Sequence, residues 1–230
     1  MQTLFTWMMA AAASLVATAT VAFAADKPVL TIYTYESFTS DWGPGPAIET
    51  AFEENCNCDL QFVSLDSSIG ILGRVQLEGA ESKADIVLGL DTNLMATARN
   101  TGLFAPHGTT LAGRTSLPVD FSDDVFVPFD WGHFAFVYNS ETMAQPPVSM
   151  QELVDAPESL RIVIQDPRTA TPGLGLLLWV KSVYGDDAPE AWAKLEPKIV
   201  TVTKGWWDAY SMFLEGEADM VLSYSTSPAY

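Results

Sequence analysis

Aromatic and hydroxyl side chains recur where the short apolar runs of this sequence give way to loops. Tyr35 ends Val29–Tyr35, Ser67 and Ser68 follow Leu60–Leu65, and Thr169-Ala170-Thr171 comes after Arg161–Ile164. Trp206-Trp207 follows Lys198–Thr203, and Tyr224-Ser225-Thr226-Ser227-Pro228-Ala229-Tyr230 follows a run that begins at Ala218. Aromatic faces hold flat rings and attract cations, at about 0.5–2 kcal/mol each. Hydroxyls, and the free N–H groups at helix N-termini, suit a phosphate or another anion. A flat, cationic, phosphorylatable small molecule would use both. For any one of these aromatics core packing is the simpler account, but together, at loops, they favour a binding cleft.

Catalytic signatures are missing from the sequence. It has no G-x-S-x-G, no H-E-x-x-H, no Walker loop and no Rossmann glycine fingerprint. Two cysteines, Cys56 and Cys58, and two histidines, His107 and His133, argue against a zinc site.

The elements that must position these groups alternate between apolar runs and helical patterns, the mark of a parallel α/β sheet. Strands are expected at Val29–Tyr35, Leu60–Leu65, Ala84–Leu90 (a buried one), Arg161–Ile164, Lys198–Thr203 and from Ala218. Between them, Pro44 or Pro46 suits the first turn of a helix running towards Glu54. Further helices are expected through Leu72, Val75 and Leu77, over Asn93–Asn100, after a Ser149 cap, and from Trp206 to Glu215. Thr171 reads as the cap, and Pro172 as the first residue, of a helix ending near Tyr184. Val125–Tyr138 is too long an aromatic run for one ordinary strand. Leu77-Glu78-Gly79 before Ala84–Leu88 echoes Leu214-Glu215-Gly216 before Ala218–Leu222, each a helix with a glycine stop feeding a strand. Open sheets of this class bind ligands beyond the carboxyl ends of their strands, where the aromatic and hydroxyl groups lie.

Met1–Ala24 carries no charged side chain and closes on Ala22-Phe23-Ala24, so residues 1–24 read as a signal peptide cleaved before Ala25. The export it implies allows a Cys56–Cys58 disulfide, a staple for one turn. The formal net charge of −18 repels nucleic acid and favours cationic ligands at long range. A sequence that stops within the Tyr224–Tyr230 loop is expected to continue, leaving the second half incomplete.

Several stretches carry a family resemblance: Lys27–Tyr35 with Asp41–Pro46, Lys83–Asp91, Gln165–Thr169, Thr171–Trp179, Tyr184–Pro189 and Thr201–Trp206. Together, and with Cys56-Asn57-Cys58, they resemble the thiamine-binding proteins of ABC importers. The resemblance implies the type II periplasmic-binding-protein fold, an α/β architecture of two lobes with a hinge. Residues 25–138 would form lobe 1 and residues 139–230 an incomplete lobe 2. It implies capture of thiamine, thiamine monophosphate and thiamine diphosphate in the periplasm, and delivery to a membrane permease and ATPase. These are transported ligands, so no cofactor is expected, nor a nucleic-acid partner, and the protein should be a monomer and not an enzyme. The family's site falls on Tyr35, Thr171, Trp206, Tyr224, Ser225, Thr226, Ser227, Pro228 and Tyr230. Ser67-Ser68 stands where the family can have Asp-Gly, and Ala170 where it can have Ser, departures that bear on the preference among phosphorylation states. Two other readings remain open at this point. One is a thiamine-degrading enzyme on the same fold, which would need a free cysteine nucleophile. The other is a binding protein for another small ligand, such as ferric iron or a polyamine.

Overall fold

The computed structural model describes residues 27–110 and 117–229. The expected signal peptide, residues 1–24, and the candidate site residue Tyr230 lie outside them. Strand β1 (Val29–Tyr35) leads through a single turn, α1 (Glu36–Thr39), into α2 (Gly45–Cys56), β2 (Asp59–Leu65) and α3 (Ser68–Glu78). Then come β3 (Ile86–Val87), α4 (Met95–Asn100), β4 (Phe134–Tyr138), α5 (Met150–Asp155), β5 (Ile162–Gln165) and α6 (Thr171–Tyr184). The chain closes with α7 (Ala188–Leu195), β6 (Ile199–Thr203), α8 (Trp206–Leu214) and β7 (Met220–Tyr224).

The strands form two sheets. The first has the order β2-β1-β3 and is parallel throughout, with Tyr35 opposite Leu65 at its carboxyl end. The second has the order β4-β7-β5-β6, in which β5 runs parallel to β6 and β7 while β4 runs antiparallel to β7. Strand β4 therefore differs from the expected assignment to residues 25–138. Its Phe134 lies opposite Tyr224, so the first part of the chain sends a strand into the second sheet. The long run Val125–Tyr138 becomes extended loop followed by this one strand.

The second sheet is covered on both faces, and its strands alternate accordingly. Ile162 and Ile164 point into a cluster with Leu222 of β7, Leu176 and Val180 of α6, and Leu195 of α7. Val163 and Val221 point the other way, under Ala209 and Tyr210 of α8. Each such side chain taken from water contributes about 1.5–3 kcal/mol. Lys198 is only 3% exposed, and its Nζ donates to Val154 O (2.9 Å) and Lys194 O (2.6 Å). The cation thus sits at the carboxyl ends of α5 and α7, where helix carbonyls favour positive charge. In the first sheet Tyr33 packs on Ile71 and Val75 of α3.

Local signals set most of the boundaries. Ser149 caps α5 by accepting from Glu152 N (3.1 Å). Pro44 is the cap of α2, and Pro46 lies in its first turn. Gly79 and Gly216 take positive φ, 57° and 80°, at the ends of α3 and α8, the paired glycine stops of the sequence echo. Cys56 and Cys58 are joined by a disulfide between α2 and β2, with Cα atoms 5.2 Å apart around Asn57 at φ 52°.

Two expectations are corrected. The third strand is two residues long and Ile86 is 45% exposed, because β3 is a sheet edge pairing only with Ile32 and Tyr33. Thr171 is not the cap of α6: Ala170 holds that position, without a side-chain bond, and Thr171 is the first helical residue. Its hydroxyl is engaged elsewhere.

Candidate functional site: a cleft between two sheets

Thr171 brings Oγ1 to 2.5 Å from Asp91 Oδ2 and 3.3 Å from Ser68 Oγ. Asp91 follows β3 and Ser68 opens α3, so the first residue of a second-sheet helix reaches across to the loops of the first sheet. The carboxylate is fixed from its own side, because Oδ1 accepts from Asn93 N (2.8 Å) and Leu94 N (3.3 Å). A hydroxyl has one proton, and a carboxylate is the stronger acceptor, so the Thr171 proton goes chiefly to Asp91, with Ser68 Oγ the longer contact.

Other contacts bridge the same gap. Asp66, after β2, forms an ion pair with Lys204, after β6. Trp42, in the turn before α2, lies 5.1 Å from Trp207 and 6.3 Å from Trp206, between ring centroids. On the second side Thr169 Oγ1 donates to Lys204 O at 2.7 Å, tying the β5 and β6 loops together. The carboxyl ends of the two sheets therefore face one another. Asp66, Asp91, Lys204 and Trp42 escape sequence reasoning as site residues. Trp42, Asp91 and Lys204 do lie in stretches that carry the family resemblance, but nothing local in those stretches marks a partner.

The predicted residues divide into those that face the gap and those that build its walls. Tyr35 ends β1 with Phe38 packed edge-on at 5.8 Å. Gly89 presses on the same ring: its φ is 104°, and a Cβ there would stand 2.5 Å from Tyr35 Cδ1. Ser68 reaches the gap, whereas Ser67 caps α3, its Oγ accepting from Gly70 N at 3.1 Å. Ala170 is buried, and its N–H donates to Asp166 O at 2.9 Å. Asp166 is itself held by Arg168, whose hydrogen bonds bring its carboxyl down to about 2.

Trp206 opens α8 with its ring stacked on Tyr210, centroids 5.0 Å apart and planes 19° apart. Tyr224 lies 5.4 Å from Phe134, its partner across the β4–β7 pair. Burial pushes the Tyr224 phenol well above its ordinary value, with the nearby Asp91, Tyr35 and Asp130 adding to the shift. It is therefore a protonated donor at neutral pH. Burial also raises the carboxyl of Asp130. After β7, Ser225 N donates to His133 O (2.9 Å), and the Ser225, Thr226 and Pro228 side chains are exposed. Ser227 differs: it is 1% exposed, and its hydroxyl lies 2.7 Å from Ser223 Oγ. Its side chain belongs to the wall. Among the described residues no group of three or more His, Cys, Asp or Glu could hold a metal ion.

Two α/β sheets whose strand ends oppose each other across an aromatic- and hydroxyl-lined cleft define a two-lobed solute-binding architecture. The chain belongs to the bacterial extracellular solute-binding protein family, whose model matches residues 35–230. It is 57% identical over 204 residues to the thiamine-binding periplasmic protein of Escherichia coli (strain K12), covering 89% of this chain and 62% of that one. With the thiamine-binding periplasmic protein of Haemophilus influenzae it shares 46% identity over 213 residues, covering 92% and 64%. A solved periplasmic thiamin binding protein superposes with a TM-score of 0.85 at 57% identity, covering 89% of this chain and 64% of that one. The chain thus spans under two thirds of the length of these relatives.

Proposed function

We propose that this protein captures thiamine, thiamine monophosphate and thiamine diphosphate in the periplasm and presents them to the permease and ATPase of an ABC importer. The observation that carries this reading is the Thr171–Asp91 hydrogen bond between two sheets whose carboxyl ends also carry Tyr35, Trp206 and Tyr224, in a chain so similar to thiamine-binding proteins. Aromatic faces would take the pyrimidine and the cationic thiazolium rings. Ser68, Thr171, Ser225 and Thr226 would serve the hydroxyethyl or phosphate end. Residues 25–138 and 139–230 are the two lobes in this reading, with β4 crossing from the first into the second sheet. The protein works as a monomer, without a cofactor.

Binding without catalysis is favoured by the cysteines. Cys56 and Cys58 are bonded to each other at the α2–β2 turn, the end of β2 opposite the one that faces the cleft. Neither sulfur is then available as the nucleophile a thiamine-degrading enzyme needs. The test is a thiamine titration followed by calorimetry and tryptophan fluorescence. A saturable signal at micromolar ligand is expected, and its absence would sink the assignment.

A further inference from the structure

Ser223 is a polar residue in an otherwise apolar strand: Met220, Val221 and Leu222 precede it, and all four are buried. A hydroxyl removed from water costs free energy unless it is bonded. Its bond goes to a side chain of the cleft wall. Trp206 Nε1 donates to Ser223 Oγ at 2.7 Å, and Ser223 Oγ and Ser227 Oγ lie 2.7 Å apart. Ser227 Oγ also accepts from Tyr224 N (3.4 Å), while Ser227 O accepts from Tyr210 OH (3.0 Å). Tyr210 is the residue whose ring stacks on Trp206. The indole is thus held on its face by Tyr210 and at its N–H by Ser223. Both holders are tied to Ser227, in the loop that follows Tyr224.

We propose that Ser223 is the positioning residue of the aromatic wall. Through the indole N–H it sets the plane of Trp206, and through Ser227 it locks that plane to the Tyr224–Pro228 loop. Stacking on a flat ligand depends on ring orientation, so this bond determines how well the wall receives a planar ring. An indole N–H at a partly buried site needs an acceptor, and Ser223 Oγ is the one aligned with it. The role rests on the reading that Trp206 stacks on the ligand.

A double-mutant cycle on the intact protein tests it, with thiamine as the ligand and calorimetry as the readout. Ser223→Ala is expected to weaken binding roughly fivefold, the worth of one net hydrogen bond. In a Trp206→Phe background the same change is expected to do nothing, because no N–H remains to be oriented. Equal losses in both backgrounds, or none in either, overturn the role. The Trp206 indole N–H resonance, identified by its loss in Trp206→Phe, is expected to move in Ser223→Ala; an unmoved resonance overturns the role as well. Ser227→Ala keeps the acceptor but removes its anchor, so it should give the same signature at smaller size if Ser223→Ala does not fold. Trp206→Ala tests the wall by itself. Unchanged thiamine affinity there sinks the stacking reading and this role together, whereas a sensitive wall with no Ser223 coupling sinks the role alone.

Discussion

Thr171 Oγ1 and Asp91 Oδ2 stand 2.5 Å apart, on residues 80 positions apart in the chain. The acceptor is preset by the Asn93 and Leu94 N–H groups, and the donor by the start of α6. The pair is a fastening between the two sides of the cleft, and Thr171 is also a residue expected to touch the ligand. In the proposed function, closure and capture would share this one hydroxyl.

Thr171→Val should loosen this fastening at similar side-chain volume. The loss is expected to be about 1.5–3 kcal/mol of closure free energy, one hydrogen bond to a half-buried carboxylate. Small-angle X-ray scattering of the ligand-free protein should report a larger radius of gyration than for the unaltered chain. Identical scattering profiles would show that the Asp91–Thr171 bond does not hold the sides together.

Trp206→Ala should weaken thiamine binding by about 0.5–2 kcal/mol, the worth of one ring–cation contact. Calorimetry measures it directly. Trp42→Ala, removing the ring that covers Trp206 and Trp207 from the first side, should act in the same direction. Unaltered affinity in both variants would remove the aromatic wall from the site.

Gly89→Ala should destabilise the fold by about 1–3 kcal/mol. At φ 104° an L side chain is strained, and its Cβ would press on the Tyr35 ring at 2.5 Å. Urea denaturation gives the loss, and the displaced ring should lower thiamine affinity too. A variant as stable as the parent would mean that the β3 loop yields easily.

Acid stability should depend on Arg168. Its hydrogen bonds depress the Asp166 carboxyl from 3.8 to about 2. A depressed folded-state value stabilises the fold in full above the unfolded value, and that contribution disappears as pH falls from 3.8 through about 2. Arg168→Gln should return Asp166 toward its ordinary range and move acid unfolding to higher pH. A carbon-detected carboxyl titration of the two proteins checks the first point, and circular dichroism against pH the second.

Much of the fold is legible locally. The Ser149 cap, the prolines of α2, and the glycine stops at Gly79 and Gly216 act within a few residues of themselves, so the sequence displays them. The alternation of Ile162, Val163 and Ile164 likewise announces a strand covered on both faces. Sequence reasoning goes astray where a distant partner outbids a local one. Thr171 looks like a helix cap, but its hydroxyl answers Asp91 and Ser68. Val125–Tyr138, by contrast, reads as too long for one strand, and only Phe134–Tyr138 finds a strand to pair with. Ser227 looks like a ligand contact, but the Ser223 hydroxyl holds it inside.

The sequence carries, in residue types and their spacing, the class of fold, the order of most elements and the family. It also named Tyr35, Thr171, Trp206 and Tyr224, because aromatic and hydroxyl groups beyond apolar strands stand out by type and position. Which groups face one another, and which are buried behind them, emerges with the packed fold. Asp66 meets Lys204 across 138 positions, Asp91 meets Thr171 across 80, and Trp206 finds its acceptor in Ser223. Such pairings follow from how two sheets are set against each other, a property of the whole packed core that no short stretch of chain encodes.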